Sequence, residues 1–244
     1  MSSIADLEAR IHYSALYKLD VNKLRRAILA NKSIIDKYYI PKSGDSILVA
    51  GAGIGIEAIM IKDEFRLATV AIDLNLMPSL FQKENDIRYE IGDLTHLSFG
   101  NETFSLVYCN HVLEHIPNYI NALLELQRVL TKGGVLFIGF PNRNRIVGYI
   151  NPSQRIELSE FIVWNILDYK KRLFHKFRNE EGAHAGFTQK EFIEMSSKYF
   201  KSIFAVRNQY MRIKYRKYSS IMKLLTRLSL DERVFPSNYF ICIK

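Results

Sequence analysis

Three glycines at alternate positions, Gly51, Gly53 and Gly55, close the apolar run Val49-Ala50-Gly51-Ala52-Gly53-Ile54-Gly55, just before a helical stretch that starts near Ile56. Glycines in that place let the backbone turn tightly and approach a ligand with no Cβ in the way, beside the N–H groups of a helix start. Asp73 ends the next apolar run, and a carboxylate there can accept hydrogen bonds from both hydroxyls of a ribose. Asp93 and Asn110 end the two runs that follow, so four successive run ends offer polar groups. A glycine turn between strand and helix is common in itself. The acids at the strand ends are what make a nucleotide-type ligand the expectation. The loop reads G-x-G-x-G, with Ile56 where a dinucleotide fingerprint would need its third glycine, which speaks against a pyrophosphate cofactor.

What must position these residues is an alternation of apolar runs and helical stretches. Runs 46–52, 67–74, 87–93, 104–110 and 133–141 are nearly continuous in apolar residues, the pattern of a parallel sheet covered on both faces. Runs 202–210 and 238–244 bring the strand count to seven. The predicted fold class is therefore α/β, a doubly wound, mostly parallel sheet. A helix from about Asn118 keeps Ile120, Leu123, Leu124 and Leu130 on one side and is expected to stop at Lys132-Gly133-Gly134. Thr188 and Glu191 form a capping box that opens a helix to about Tyr199. Residues 4–39 read as two helices, the second capped by Asp20 and stopped at Pro41. This divides the chain into N-terminal cap helices (1–40) and one domain (41–244) with insertions at 142–186 and 211–236.

In order and spacing the motifs resemble the class I S-adenosylmethionine-dependent methyltransferases. The segments that carry the resemblance are VAGAGIG, the acidic end of AIDLN, IGDLTHLSF, FSLVYCNHVLEHI and RVLTKGGVLFIGFPN. It covers residues 45–141 well, and FTQKEF (187–192) with the last two strands more loosely. The resemblance implies a Rossmann-like methyltransferase fold, with the sixth strand parallel and the seventh antiparallel. It implies S-adenosylmethionine as cofactor and S-adenosylhomocysteine as product. Gly51, Gly53 and Gly55 would line the methionine part, and Asp73, followed by Leu74, would meet the ribose hydroxyls. Asp93 would bind the adenine amino group with the Leu94 backbone beside the ring. Asn110 and His111 would offer backbone groups near the methionine amine and the sulfonium. Two positions depart from the family pattern. Val49 stands where an acidic residue usually precedes the first glycine by two places, and Ile54 is bulkier than the usual residue.

With an activated methyl donor, the protein must hold the acceptor in line and, for a hydroxyl, remove a proton. His111, Glu114 and His115 stand at i, i+3 and i+4 of HVLEHI and share a face if that segment is helical. The segment looks like the E-x-x-E-H of ubiquinone-pathway O-methyltransferases, where acidic and His side chains can hold a divalent metal. Here His111 replaces the first Glu, and no metal is expected. The plainer alternative has Glu114 and His115 bonded to neighbouring backbone before Pro117. His184, in GAHAGFTQKEF, is similar to an H-x-x-F-T segment of many of these enzymes. The candidate catalytic residues are His111, His115 and His184.

Charge separates the two parts of the chain. Residues 1–141 hold 14 Lys or Arg against 16 Asp or Glu, whereas residues 142–244 hold 20 against 9. An anionic partner met by the C-terminal part is the direct implication. Residues 170–178 carry five basic residues and residues 207–227 carry seven, neither with an acid, the latter interleaved with Tyr210, Tyr215 and Tyr218. Apolar residues recur at helical spacing in both insertions: Phe161, Ile162, Ile166, Tyr169, Leu173 and Phe177, then Ile221, Met222, Leu224, Leu225 and Leu228. Such basic amphipathic helices either lie on an anionic membrane surface or pack their apolar side on the domain. If the fold follows the resemblance, both insertions form a basic cap over the crevice. The expected function is methyl transfer to a small or lipid-linked, anionic acceptor, most simply at oxygen, with peripheral membrane contact. RNA methylation is the alternative, since basic and aromatic residues also suit phosphates and bases. A catalytically silent nucleotide-binding module recruited through the basic cap is a third reading, prompted by Val49 and Ile54. Cys109 and Cys242 lie in apolar runs and cannot build a disulfide framework. The opening MSSIADLEARIHYS lacks a signal-peptide pattern, and Ile47–Ile61 is too short and glycine-broken to span a bilayer, so a cytoplasmic setting is expected.

Overall fold

In the computed structural model, residues 20–75, 86–146, 148, 157–174 and 186–244 are described. Strands β1 (Ser46–Ala50), β2 (Ala68–Asp73), β3 (Ile87–Ile91), β4 (Phe104–Asn110), β5 (Leu130–Pro141), β6 (Ser202–Ala205) and β7 (Ser237–Ile243) form one sheet. Their order is β3-β2-β1-β4-β5-β7-β6. β1 to β5 pair in parallel, while β7 runs antiparallel to both β5 and β6, so β6 is parallel to β5. The doubly wound α/β sheet read from the apolar runs is the one observed.

The period-two geometry of a strand explains why these runs are apolar throughout. Ile47 and Val49 of β1, with Leu106 and Tyr108 of β4, enter one core. Leu48, Ala50, Val107 and Cys109 enter the other. The first core is closed by α1 (Val21–Ile35), α2 (Ile56–Phe65) and α6 (Arg207–Lys214). The second is closed by α3 (Tyr119–Val129) and α5 (Gln189–Ser196). α3 presents Ala122, Leu123, Leu126 and Val129, at three- and four-residue steps, so one stripe is buried. Each large apolar side chain fully buried in this way contributes about 1.5–3 kcal/mol.

Three sequence expectations change. α3 stops at Val129, not at Lys132-Gly133-Gly134, because Leu130 turns extended (ψ 140°) and pairs with Phe104 in the β4–β5 ladder. The predicted strand 202–210 ends at Ala205. Val206 N still donates to Tyr239 O, and α6 then buries Arg207, Tyr210 and Met211 at helical spacing. The third concerns the N-terminal cap. α1, with Asp20 as its N-cap accepting from Lys23 N, packs into the layer of α2 and α6 instead of standing over the crevice. Its Asn31 Nδ2 donates to the Tyr108 hydroxyl at 2.8 Å, and Leu24, Ile28, Ile34 and Ile35 are buried. The first of the two helices expected in 4–39 lies outside the described residues. So do the stretches 149–156 and 175–185 of the first insertion.

Candidate active site

The glycine turn leaves β1 at its carboxyl end and is tied to β2: the amides of Gly51 and Ala52 both donate to Ile72 O, at 2.9 and 3.0 Å. Gly51, Gly53 and Gly55 have φ of +76°, +54° and +80°, so the turn needs the left-handed freedom of glycine at all three places. At Gly51 a Cβ would also overlap the Val112 side chain. Gly55 begins α2 with no side chain capping it, so the amides of the first turn remain for a ligand.

Asp73 clamps this turn. Its Oδ2 accepts from Gly53 N at 2.8 Å and its Oδ1 from Asn75 N at 2.9 Å, and the half-buried carboxylate keeps further lone pairs. Leu74 beside it is exposed. Two positions beyond the end of β3, Asp93 is exposed, with Oδ1 accepting from Thr95 N at 2.8 Å, while Leu94 is buried. The β1–β4 register sets Ala50 beside Cys109, which brings Asn110 next to the glycine turn. Strand order reverses at β1, with β2 on one side and β4 on the other. In open α/β sheets the crevice at that reversal is where ligands bind. The structure thus brings Gly51, Gly53, Gly55, Asp73, Asp93 and Asn110 to one edge.

His111 follows β4 in a left-handed conformation, φ +56°, with its amide donating to Gly139 O at 2.8 Å. Leu113–His115 is a short 3-10 turn. Glu114 is fully buried, and neither of its carboxylate oxygens has a hydrogen-bond partner among the described residues. Its Oε1 lies 3.4 Å from His111 Nδ1 and 4.0 Å from His115 Nε2, both imidazoles being partly exposed. The plainer expectation, Glu114 bonded to local backbone, is therefore not the arrangement found. His184 lies outside the described residues. No group of three or more His, Cys, Asp or Glu among the described residues is arranged to hold a metal.

Sequence reading missed a second set of polar groups on the α2 side of the sheet. Glu57, in the first turn of α2, lies near the side chains of Asn110, Tyr108 and His111. Burial pushes its pKa up. In sequence it read as an ordinary acid at a helix start. Tyr239 of β7 packs against Tyr210 of α6 with tilted rings, centroids 4.0 Å apart, and burial pushes its pKa up to about 12. Lys214, half-buried, has its ammonium over the rings of Tyr210 and Tyr215, at 5.3 and 5.7 Å. Burial, then the charge of Lys23, brings its pKa down to about 8. Tyr39, just beyond α1, donates to Asp45 at 2.7 Å, and Asp45 also accepts from Ser105 at 2.6 Å. Both partners lie at the amino edge of the sheet, and Lys23, near the start of α1, is close enough to Lys214 for its charge to act there.

The connections after β5 and β6 are held by buried charge pairs. Arg145 meets Asp168 of α4 (Leu158–Leu173) at 2.7 Å, and Arg207 meets Asp231 at 2.5 Å. Arg207 also donates to Asn238. Beyond these anchors α4 exposes Leu158, Ile162, Val163, Ile166, Leu167 and Leu173. α7 (Ser219–Arg227) exposes Ile221 and Leu224, with Leu228 following, and carries exposed Lys223 and Arg227 beside them. No helix among the described residues is long and apolar enough to cross a membrane.

Residues 48–138 match a family described as a methyltransferase domain. An uncharacterized protein of Methanocaldococcus jannaschii is 33% identical over 130 residues, 53% of this chain and 56% of that protein. The ubiquinone biosynthesis O-methyltransferase of Pseudomonas syringae pv. tomato is 30% identical over 139 residues, 51% of this chain and 53% of that one. The chain spans about half the length of these curated relatives. A solved structure of Haemonchus contortus phosphoethanolamine N-methyltransferase 2 in complex with S-adenosyl-L-methionine has a TM-score of 0.57 at 17% identity. It covers 88% of this chain and 52% of that one, and the likeness is one of fold. Residues 48–138, which hold the glycine turn and the strand reversal, thus match a methyltransferase domain, and the sheet order is the fold of the S-adenosyl-L-methionine-bound neighbour.

Proposed function

We propose that this chain methylates a small or lipid-linked anionic acceptor, most simply at a hydroxyl oxygen, with S-adenosylmethionine as the donor. The observation that carries the reading is the convergence of a left-handed glycine turn, Asp73, Asp93 and Asn110 on the strand reversal, beside a cationic and aromatic wall. The residues fit the cofactor. Asp73 retains lone pairs for two ribose hydroxyls, Asp93 stands free on one oxygen, and Leu94 offers a buried apolar surface for a ring. When bound, the cofactor supplies a methyl group on a positively charged sulfur.

The remaining work falls to the chain's own side chains. His111 takes the hydroxyl proton, and buried Glu114, 3.4 Å from Nδ1, balances the imidazolium that results. His115 is the second imidazole on the same carboxylate. Lys214 and Lys23 give the acceptor's anionic group its counter-charge, since Lys214 has no carboxylate partner among the described residues. The exposed apolar residues of α4 and α7, with Lys223 and Arg227 alongside, suit the tail of a lipid-linked acceptor at an anionic membrane surface. The insertions 142–186 and 211–236 serve in this reading as the basic cap. A phosphorylated acceptor is also what the name of the Haemonchus contortus neighbour carries.

The test is methyl transfer from labelled cofactor into a cell extract, after calorimetry with S-adenosylhomocysteine. Label should enter a low-mass or lipid fraction of acidic compounds. Label confined to RNA overturns the acceptor class. Absence of binding at millimolar ligand overturns the enzyme reading in favour of a silent module.

A further inference from the structure

We propose that the outward apolar rows of α4 and α7, with the basic side chains beside them, are a docking face whose partner is a bilayer rich in anionic phospholipid. The proposal deepens the reading above, in which these helices meet an acceptor's tail. Here the partner is the membrane itself, and docking needs neither acceptor nor cofactor.

α4 is built inside out. An amphipathic helix on a domain surface ordinarily turns its apolar stripe to the core and its polar side to water. In α4 the inward positions are Phe161, Asn165 and Asp168, and polar bonds hold them. Asp168 meets Arg145 at 2.7 Å, and Asn165 Oδ1 accepts from Gly148 N at 3.0 Å. Leu158, Ile162, Ile166, Tyr169 and Leu173 follow one another at four- and three-residue steps, so they form one row, and all five are at least 48% exposed. Ile146 and Phe161 join that row in lining an open apolar groove of about 690 Å³. α7 carries a second row. Its Met222 and Leu225 pack on the core, whereas Ile221 and Leu224, with Tyr218 before the helix and Leu228 after it, are exposed. Contiguous apolar surface of this kind marks a place where a partner sits.

Both helices hang from one edge of the sheet. Pro141 pairs with Ser237 where β5 ends and β7 begins, so the segment after β5 and the segment before β7 meet there. Ile146 N donates to Arg233 O at 2.6 Å, which ties the first connection to the short helix Asp231–Val234 behind α7. This is the carboxyl edge, where the glycine turn and Asp73 lie. Docking through the two rows sets that edge towards the lipid.

Charge selects the partner. Lys170 of α4 is exposed, and so are Arg216, Lys217, Lys223 and Arg227 in and just before α7. Asp168 and Asp231 are buried against Arg145 and Arg207, so their charge is met inside the protein, while exposed Glu157 and Glu232 stand outside the helix ends. A second copy of the chain would bring the same positive charge against itself. RNA would meet the charges but leave the apolar rows in water. An anionic bilayer satisfies both, with headgroups for the Lys and Arg and the acyl boundary for the rows.

Flotation of the full chain with vesicles of phosphatidylcholine, pure or mixed with phosphatidylglycerol, tests the face without acceptor or cofactor. At low salt the wild type should bind the mixed vesicles about tenfold more tightly than the pure ones, and the preference should shrink as salt rises. The double variant Ile162→Ser, Ile166→Ser should lose about tenfold on mixed vesicles. Both side chains are exposed, so its urea midpoint should match that of the wild type. Cys109 and Cys242 are buried, so a cysteine introduced by Ile166→Cys, Leu224→Cys or, at the amino edge, Ser43→Cys is the thiol open to a nitroxide label. On mixed vesicles the labels on α4 and α7 should lose contact with an aqueous nickel relaxant, and the label before β1 should keep it. Equal binding to pure and mixed vesicles, full binding by the double variant, or shielding of the amino-edge label alone overturns the proposal. A dimer that the double variant dissolves overturns it in favour of a second copy. No methyl transfer is read, so failure of the acceptor reading would leave these outcomes unchanged.

Discussion

On the β2–β1–β4 side of the crevice, the groups that face a ligand come from strand ends and one glycine turn. On the β5–β7–β6 side they come from helices hung on long connections. The first side is fixed through backbone amides: Gly51 and Ala52 on Ile72 O, Gly53 on the Asp73 carboxylate, His111 on Gly139 O. The second adds buried side-chain pairs to its backbone bonds: Arg145 on Asp168, Arg207 on Asp231 and Asn238, Tyr210 on Tyr239. Backbone bonding at a strand end leaves little room for variation, which suits a constant ligand. Charge pairs and exposed amphipathic helices can be exchanged without disturbing the sheet, which suits an acceptor that differs from one relative to the next.

The largest effect should come from breaking a buried pair on the side-chain-built side. Asp231→Ala leaves Arg207 buried without its carboxylate and should lower stability by about 3–5 kcal/mol, read from the urea midpoint at constant slope. An unchanged midpoint would mean that the pair does not hold the β6–β7 connection. Gly51→Ala attacks the other side. It combines a left-handed φ with an overlap on Val112, and about 1–3 kcal/mol of strain follows. Here S-adenosylhomocysteine affinity should fall more steeply than the urea midpoint, and equal losses would count against a ligand-facing turn.

Asp73→Asn is milder. It keeps the shape but removes the charge that strengthens the hydrogen bonds, so cofactor affinity should drop roughly ten- to a hundredfold, the equivalent of about 1.5–3 kcal/mol. Affinity for an anionic acceptor bound afterwards should change little. Lys214 provides a pH signature for the opposite wall. With its pKa brought down to about 8, it is charged below that pH and neutral above it, so affinity for a phosphomonoester probe such as phosphoethanolamine should fall as pH rises through 8. Lys214→Met should be weak throughout and lack that inflection. The smallest effect belongs to Ile221→Ser and Leu224→Ser on α7. Each should reduce binding to anionic lipid vesicles a fewfold at low salt while leaving S-adenosylhomocysteine affinity as it is, and equal binding to neutral vesicles would remove the electrostatic part of the reading.

How much of this was legible depends on whether a signal is local. The strands of the doubly wound sheet, the glycine turn and the strand-end acids each announce themselves within a few residues, because period-two burial and left-handed turns constrain residue type directly. The end of α3 was misread because a Lys-Gly-Gly signal competed with a β-ladder partner, Phe104, distant in sequence. Run 202–210 was misread because Arg207 turns inward to Asp231, a residue 24 positions on. α1 looked like a cap because an amphipathic helix does not say which apolar surface it will cover.

By itself the sequence determined the sheet and its parallel character, the turn that needs three glycines, and the placing of Asp73, Asp93 and Asn110 at strand ends. Only the tertiary structure decided that Glu57 lies near Tyr108 and Asn110, that Glu114 is buried between two imidazoles, and that the charge of Lys23 reaches Lys214 beside the tyrosines. The physical reason is the range of the forces. Backbone conformation is chosen by neighbours in the chain, whereas desolvation and charge pairing depend on groups that only the packed layers bring together.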